Sequence, residues 1–373
     1  MWKWLRRLFV AIAAIIFAVV AIPVGGLGYG FLTTSSIAIR QPAPLDGHAA
    51  ELSAGLAAEI EGYKRPGEST FLTYPEWAIV YAAREYAATV EDRFPSAFPY
   101  WAYIGRFWQD YALMIRAAGD YPFNFQNHLM LMVIGVSHTV EHAVQWSYEN
   151  TLGRLTELAA WWTPVPEDVF QAGVAAEYAA FLDQVPWYRF PYAEKRAGLW
   201  EMGPAAGPAV VRSWERRLGF GLSYSIKQGY ADLIKSGLDA TSEAAFLDIY
   251  VRAQGPVADA IAGEPDTEIV RDLGADGAVF VTKRYQVFTD MIPRLIGKGV
   301  RFVEIGGNRL IFVTALSDAP LEPIESAQQV FAYLLPAEGG AVRTGFAIPV
   351  PMLHTVVPAL IESGATLEHV YDY

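Results

Sequence analysis

The chain has 373 residues, 53% of them hydrophobic, 14% aromatic and only 18% charged, with mean hydropathy +0.20. That is too apolar for a disordered chain and too charged for a polytopic membrane protein, and the length implies two domains plus an appendage. The formal net charge of −12, with no basic stripe, argues against nucleic-acid binding, and the absence of cysteine excludes disulfides, thiol nucleophiles and Cys-ligated metal sites.

The first 40 residues carry Lys3, Arg6, Arg7 and Arg40 and no acid, and residues 8–32 carry no charge at all. As a helix this run would be ~37 Å long, enough for a hydrocarbon core of about 30 Å. The expectation is a single N-terminal transmembrane helix, residues 1–32, in an inner (cytoplasmic) membrane. The cationic flank keeps the N-terminus in the cytoplasm and puts the body on the periplasmic or extracytoplasmic side. Trp2, Trp4 and Tyr29 suit the two interfaces, and Pro23 with the glycines at 25, 26, 28 and 30 would loosen the outer end. The alternative is a signal peptide cut after Ala21. Both readings export the body. A linker follows at 33–48, broken by Pro42 and Pro44.

Residues 49–255 read as an all-helical domain. A short amphipathic helix covers AAELSAGLAAEIEGY. Thr73 and Glu76, with Pro75 between them, have the spacing of a capping box at the start of the next helix. In AFPYWAYIGRFWQDYALMIRAA, Trp101, Ile104, Trp108, Tyr111 and Ile115 recur at helical steps and give an aromatic face. A long helical stretch spans 126–162 up to Pro164 and Pro166. Residues 167–185 resume the pattern, PWYRFP forms a corner, and 209–237 is another long helix ending near Gly237.

From 262 the texture becomes mixed. GAVFVTKRY, QQVFAYLLP and ATLEHVYDY read as strands, FTDMIPRLIGKG and VPMLHTVVPALIESG as helices. RFVEI-GGN-RLIFVTAL has the form of a β-hairpin around Gly306-Gly307-Asn308. The fold class expected is therefore α+β: an anchor, a helical domain, and a ferredoxin-like sandwich over 262–373, with two helices on one face of one antiparallel sheet. The chain ends on the last strand without a tail, so truncation there should be costly.

Within the long helix, residues 138–142 read His-Thr-Val-Glu-His. His138 and His142 lie one turn apart on one face and could share a Zn²⁺, with Glu141 placed to activate a bound water. These five residues resemble the H-x-x-E-H spacing of the inverzincin metallopeptidases; the resemblance covers nothing else and implies metal-dependent hydrolysis. The competing expectation is structural: His138 and His142 hydrogen-bond within the helical bundle, or Glu141 pairs with an arginine. His128 lies ~21 Å further along the axis and cannot be a third ligand on a straight helix; Glu215 is a candidate. A di-iron site would need two E-x-x-H elements, which are missing.

The other chemical feature is aromatic density. Trp161-Trp162 and Trp187-Tyr188 flank helix breaks and are candidates for an apolar ligand or partner groove. The leading functional expectation is a membrane-anchored extracytoplasmic binding or assembly protein that holds a lipid or membrane-protein partner in apolar grooves. The alternative is a metal-dependent hydrolase at the membrane surface using His138, Glu141 and His142.

Overall fold

The computed structural model describes residues 2–237, 247–336 and 340–373; within the first helix the side chains described are those of residues 6, 7, 17 and 20 onward. The chain is α+β, about 59% helical, with two antiparallel sheets. Among the described residues no helix is long and apolar enough to cross a membrane, so the N-terminal anchor rests on the sequence alone.

Helix α1 (Trp2–Thr33) runs unbroken through Pro23 and the glycines. These glycines do not loosen it. They admit α5 (Tyr100–Ala117): a Cβ at Gly26 would meet the Trp108 ring, and one at Gly30 the Trp108 carbonyl. This is the small-xxx-small device that lets two helix backbones approach. Contacts at residues 26 and 108, 30 and 112, and 34 and 116 make α1 and α5 parallel.

Helices α2 (Gly47–Glu59), α3 (Ser69–Glu76) and α4 (Ala78–Asp92) follow. The expected capping box is not a helix start. Thr73 is buried inside α3, and the break comes one residue after Glu76, at Trp77. Here the apolar surface of Phe71, Leu72 and Tyr74 extends the helix backwards past the local polar signal. Helix α6 (Phe125–Tyr148) continues through a π-helical turn (Glu149–Gly153) into α7 (Arg154–Ala159). Helices α8 (Pro166–Leu182), α9 (Tyr192–Glu201) and α10 (Val210–Gly237) complete the helical region.

The β-rich part begins at Asp248, ahead of residue 262: β1 (Asp248–Gln254), α11 (Val257–Ile261), β2 (Glu268–Asp272), β3 (Ala278–Lys283), α12 (Gln286–Gly297) and β4 (Arg301–Ile305). There follow β5 (Leu310–Ser317), β6 (Gln328–Leu334), β7 (Val342–Pro349), α13 (Leu353–Glu362) and β8 (Thr366–Tyr371). The single sheet expected is instead two four-stranded sheets, ordered β2-β3-β1-β4 and β6-β7-β5-β8.

The expected hairpin is correspondingly a crossover. β4 pairs with β1, β5 pairs with β7 and β8, and between β4 and β5 only an Ile305–Asn308 bridge remains. Gly306 and Gly307 adopt φ of 52° and 62°, and a Cβ at Gly307 would lie 2.9 Å from the Lys64 side chain. Glycine is needed because the turn is left-handed and pressed against the segment after α2. Asn308 Nδ2 donates to the Arg65 carbonyl at 3.0 Å and completes that clamp.

The inner sides of both sheets share one core with α12 and α13, including Phe280, Phe288, Met291, Val313, Phe346 and Leu360. On β5, Ile311, Val313 and Ala315 point into that core, while Leu310 and Phe312 point the other way, onto Phe71, Tyr74 and Tyr111 of the helical region. The central strand β5 is thus buried on both faces along most of its length, which is why it reads as an apolar run rather than as an alternation.

Candidate functional site

Helices α4, α6, α8 and α10, with the first residues of α5 and α9, enclose a cavity of about 260 Å³. Its walls are mainly aliphatic and aromatic, with Ile79, Val174, Phe190 and Phe220 beside Tyr86, Tyr178 and Tyr224. His138, Glu141 and His142 all face it, as does Lys227 from α10. The helical spacing that places His138 and His142 on one face is therefore realised, on the inner face of α6.

The two imidazoles are neighbours, with ring centroids 4.0 Å apart. His142 Nδ1 lies 3.0 Å from the His138 carbonyl, and His138 is hydrogen-bonded to the Tyr103 backbone, leaving its buried Nε2 without a partner. Since a carbonyl only accepts, Nδ1 of neutral His142 holds the proton and its Nε2 is a lone-pair acceptor. Burial, then the neighbouring His142, holds His138 well below the usual histidine range, and burial also lowers His142. Both rings are therefore neutral near pH 7. Glu141 makes a 2.7 Å ion pair with Lys227. Burial by the helices alone would raise its carboxyl, but the charge and hydrogen bond of Lys227, with the neighbouring His142, together hold it low, although the side chain keeps partial exposure.

Zinc would require more than this pair supplies. Among the described residues no three His, Cys, Asp or Glu side chains converge as a metal site. Glu215 is engaged elsewhere: its carboxylate accepts from Tyr148, from Thr156 at 2.9 Å and from Arg216 at 2.7 Å. His128 stacks on Phe123, 4.4 Å between centroids, and bonds Tyr111, away from the pair. The other histidines are dispersed: His48 pairs with Asp276, and His369 is buried under Trp77 beside Thr289.

The four aromatics expected at a groove divide. Trp187 lines the cavity, its ring 5.1 Å from that of Tyr230, and Tyr188 packs half-buried behind it. Trp161, 76% exposed, and Trp162 lie on the outer surface, both at positive φ near 50°. Sequence reasoning missed Lys227, 86 positions from Glu141, because no local pattern links two residues on different helices. It also missed the π-helical turn, where Glu149 reaches the cavity wall and binds Arg216 at 2.9 Å. π-Turns inside α-helices often mark functional sites.

No family model, no curated protein and no solved structure matches this chain.

The histidine pair makes one pH prediction. A folded-state value below the unfolded value of about 6.5 means the unfolded chain binds more protons, so this stability is present above about pH 6.5 and is lost as pH falls. Glu76, raised to about 7 by burial against the opposing pull of Arg284, acts with the opposite sign as its carboxyl ionises. The difference between wild type and His138→Gln removes that contribution. Urea midpoints are expected to converge between the two proteins as pH is lowered from about 7.5 to about 5.5. A constant gap would show that His138 does not titrate on unfolding.

Proposed function

We propose that the helical region is a binding module that holds an amphiphilic, lipid-like small molecule in the cavity between α4, α6, α8 and α10. The protein would be tethered by α1 to the inner membrane as a single-pass anchor, N-terminus in the cytoplasm and body extracytoplasmic. The carrying observation is the cavity itself: apolar and aromatic walls with one polar cluster, the composition of small-molecule pockets generally. His138 and His142 offer lone pairs for a hydrogen-bond donor, such as a hydroxyl, at the polar end. The salt-bridged Glu141–Lys227 pair leaves little net charge there, which favours a neutral head group over an ion. In the β-rich part each sheet is read as a ferredoxin-like unit, supported by the common order in which the first strand lies between the third and fourth.

The test is organic extraction of full-length protein purified in detergent, followed by mass spectrometry. Wild type is expected to carry an apolar compound, and Ser223→Phe, which fills the cavity from α10, to lose most of it while staying folded. An empty wild type, or equal loading of both, would sink the reading.

A second reading, metal-dependent hydrolysis with Glu141 as general base, is favoured by the adjacency of the two imidazoles. It is weakened by the missing third ligand and by Lys227 on the carboxylate. Near one zinc or iron per chain in wild type, absent from a folded His138→Ala/His142→Ala protein, would put it first.

A further inference from the structure

Helices α6, α7 and α10 are built inside out. On α10, Arg212, Arg216 and Arg217 are buried, whereas Val211, Trp214 and Leu218 are exposed. Beside it, Leu152 and Leu155 and the left-handed turn at Trp161 present apolar side chains outward. Each buried arginine has a carboxylate partner: Arg212 pairs with Asp168 and Arg217 with Glu167, each at 2.7 Å, and Arg216 pairs with both Glu149 at 2.9 Å and Glu215 at 2.7 Å. Arg154 turns back to Glu157 at 3.3 Å. Water rewards the reverse arrangement. A solvent that cannot solvate charge rewards this one, since charged side chains within hydrocarbon face the protein interior and pair there.

The face is also in the right place. Lys227 meets Glu141, Arg216 meets Glu149 and Arg212 meets the Gly153 carbonyl, so the start of α10 and the end of α6 lie at one end of the bundle. Trp108 meets Thr139 while Tyr111 meets His128, so α6 runs antiparallel to α5 and hence to α1. Ile22 of α1 accordingly shares a groove with Val140, Val144 and Thr151 at that same end. The roughly twenty helical residues before Ile22 extend beyond it by about 30 Å, one hydrocarbon thickness. Among the described residues, six tryptophans, 101, 146, 161, 162, 200 and 214, are exposed on this part of the helical region. Indole rings of this kind favour the membrane–water boundary.

We infer that this end of the helical bundle, formed by the π-turn, α7 and the first turns of α10, is seated in the outer-facing leaflet of the bilayer as a second membrane contact beside α1. The seat rests on the reading of α1 as an anchor, but involves different residues and is tested separately. The chain has no cysteine, so single-cysteine variants of the full-length protein take one nitroxide label each. Leu155→Cys and Leu218→Cys report the seat, Phe17→Cys the anchor, and Asp318→Cys the exposed loop after β5 as a water reference.

In phosphatidylcholine–phosphatidylglycerol vesicles, labels at 155, 218 and 17 are expected to collide several-fold more with oxygen than with a water-soluble nickel chelate. Position 318 is expected to show the reverse. Position 17 in lipid with 155 and 218 resembling 318 overturns the seat and leaves the anchor standing. Shielding of 155 and 218 from both reagents overturns it in favour of a protein cover, a partner or a second copy. Water-like behaviour at 17, 155 and 218 overturns seat and anchor together.

Discussion

Arg216→Met is expected to destabilise the protein by about 3–5 kcal/mol, a large part of the roughly 5–15 kcal/mol that holds a domain folded. Arg216 is fully buried and bonded at both ends of its fork. Nε and Nη2 donate to Glu215 at 2.7 and 2.8 Å, and Nη1 donates to Glu149 at 2.9 and 3.0 Å. The Tyr148 and Phe220 rings flank the guanidinium, 5.3 and 5.1 Å away. Methionine would fill much of the volume but leave two carboxylates without their cation. The cost is mostly that of uncompensated buried charge, not of lost attraction.

Two further variants separate the contributions. Glu149→Gln added to Arg216→Met should recover part of the loss, and Arg216→Lys should recover little, because an ammonium cannot span both carboxylates. Gly153 belongs to the same device, since a Cβ there would lie 2.7 Å from Glu149 Oε2 and 3.1 Å from Arg216 Nη2. Urea unfolding followed by tryptophan fluorescence measures all three. A loss below about 1 kcal/mol for Arg216→Met, the size expected of an exposed pair, would mean water reaches the pair.

Removing Tyr371, Asp372 and Tyr373 is expected to prevent stable folding. The chain end is sealed between the second sheet and the helical region. The Tyr371 hydroxyl bonds Tyr81 and Thr314, its ring meets Tyr74 edge-on at 5.5 Å, and its carbonyl accepts from Thr70 at 2.6 Å. Asp372 accepts from the Tyr285 amide at 3.0 Å and from Arg284 at 3.2 Å, and the Tyr373 hydroxyl donates to the Leu310 carbonyl. Deleting one buried aromatic typically costs about 3–5 kcal/mol, and here two go with a buried ion pair. The truncated chain should be degraded by a protease that spares wild type. Tyr371→Phe keeps the ring and should cost only about 1–2 kcal/mol. A truncated chain as resistant as wild type would show that the helical region does not depend on the sheet edge.

How much of this was legible beforehand depended on range. The strands at 278–283, 328–334 and 366–371 and the helices at 286–297 and 353–362 follow from runs of six to twelve residues, where side-chain periodicity is a local property. The partnering of those strands was not legible. RFVEI and RLIFVTAL look like one hairpin because a short glycine turn joins them, yet each finds a better ladder in a different sheet. The His138–His142 juxtaposition was readable because one helix turn fixes it. The outward tryptophans at 161 and 162 and the inward one at 187 were not distinguishable, because all three sit at helix breaks and differ only in what packs over them.

The sequence by itself determined the passage from a helical to a β-rich part, the uncharged N-terminal run, the absence of thiol chemistry and the shared face of the two histidines. Each is a property of composition or of spacing within one element. Only the tertiary structure decided that there are two sheets, that the histidines face a cavity and not solvent, that Lys227 neutralises Glu141, and that the arginines of α10 point inward while its valine, tryptophan and leucine point out. These depend on contacts between residues tens of positions apart. A side chain's burial and charge state are set by its neighbours in space, and the local pattern of one helix does not specify them.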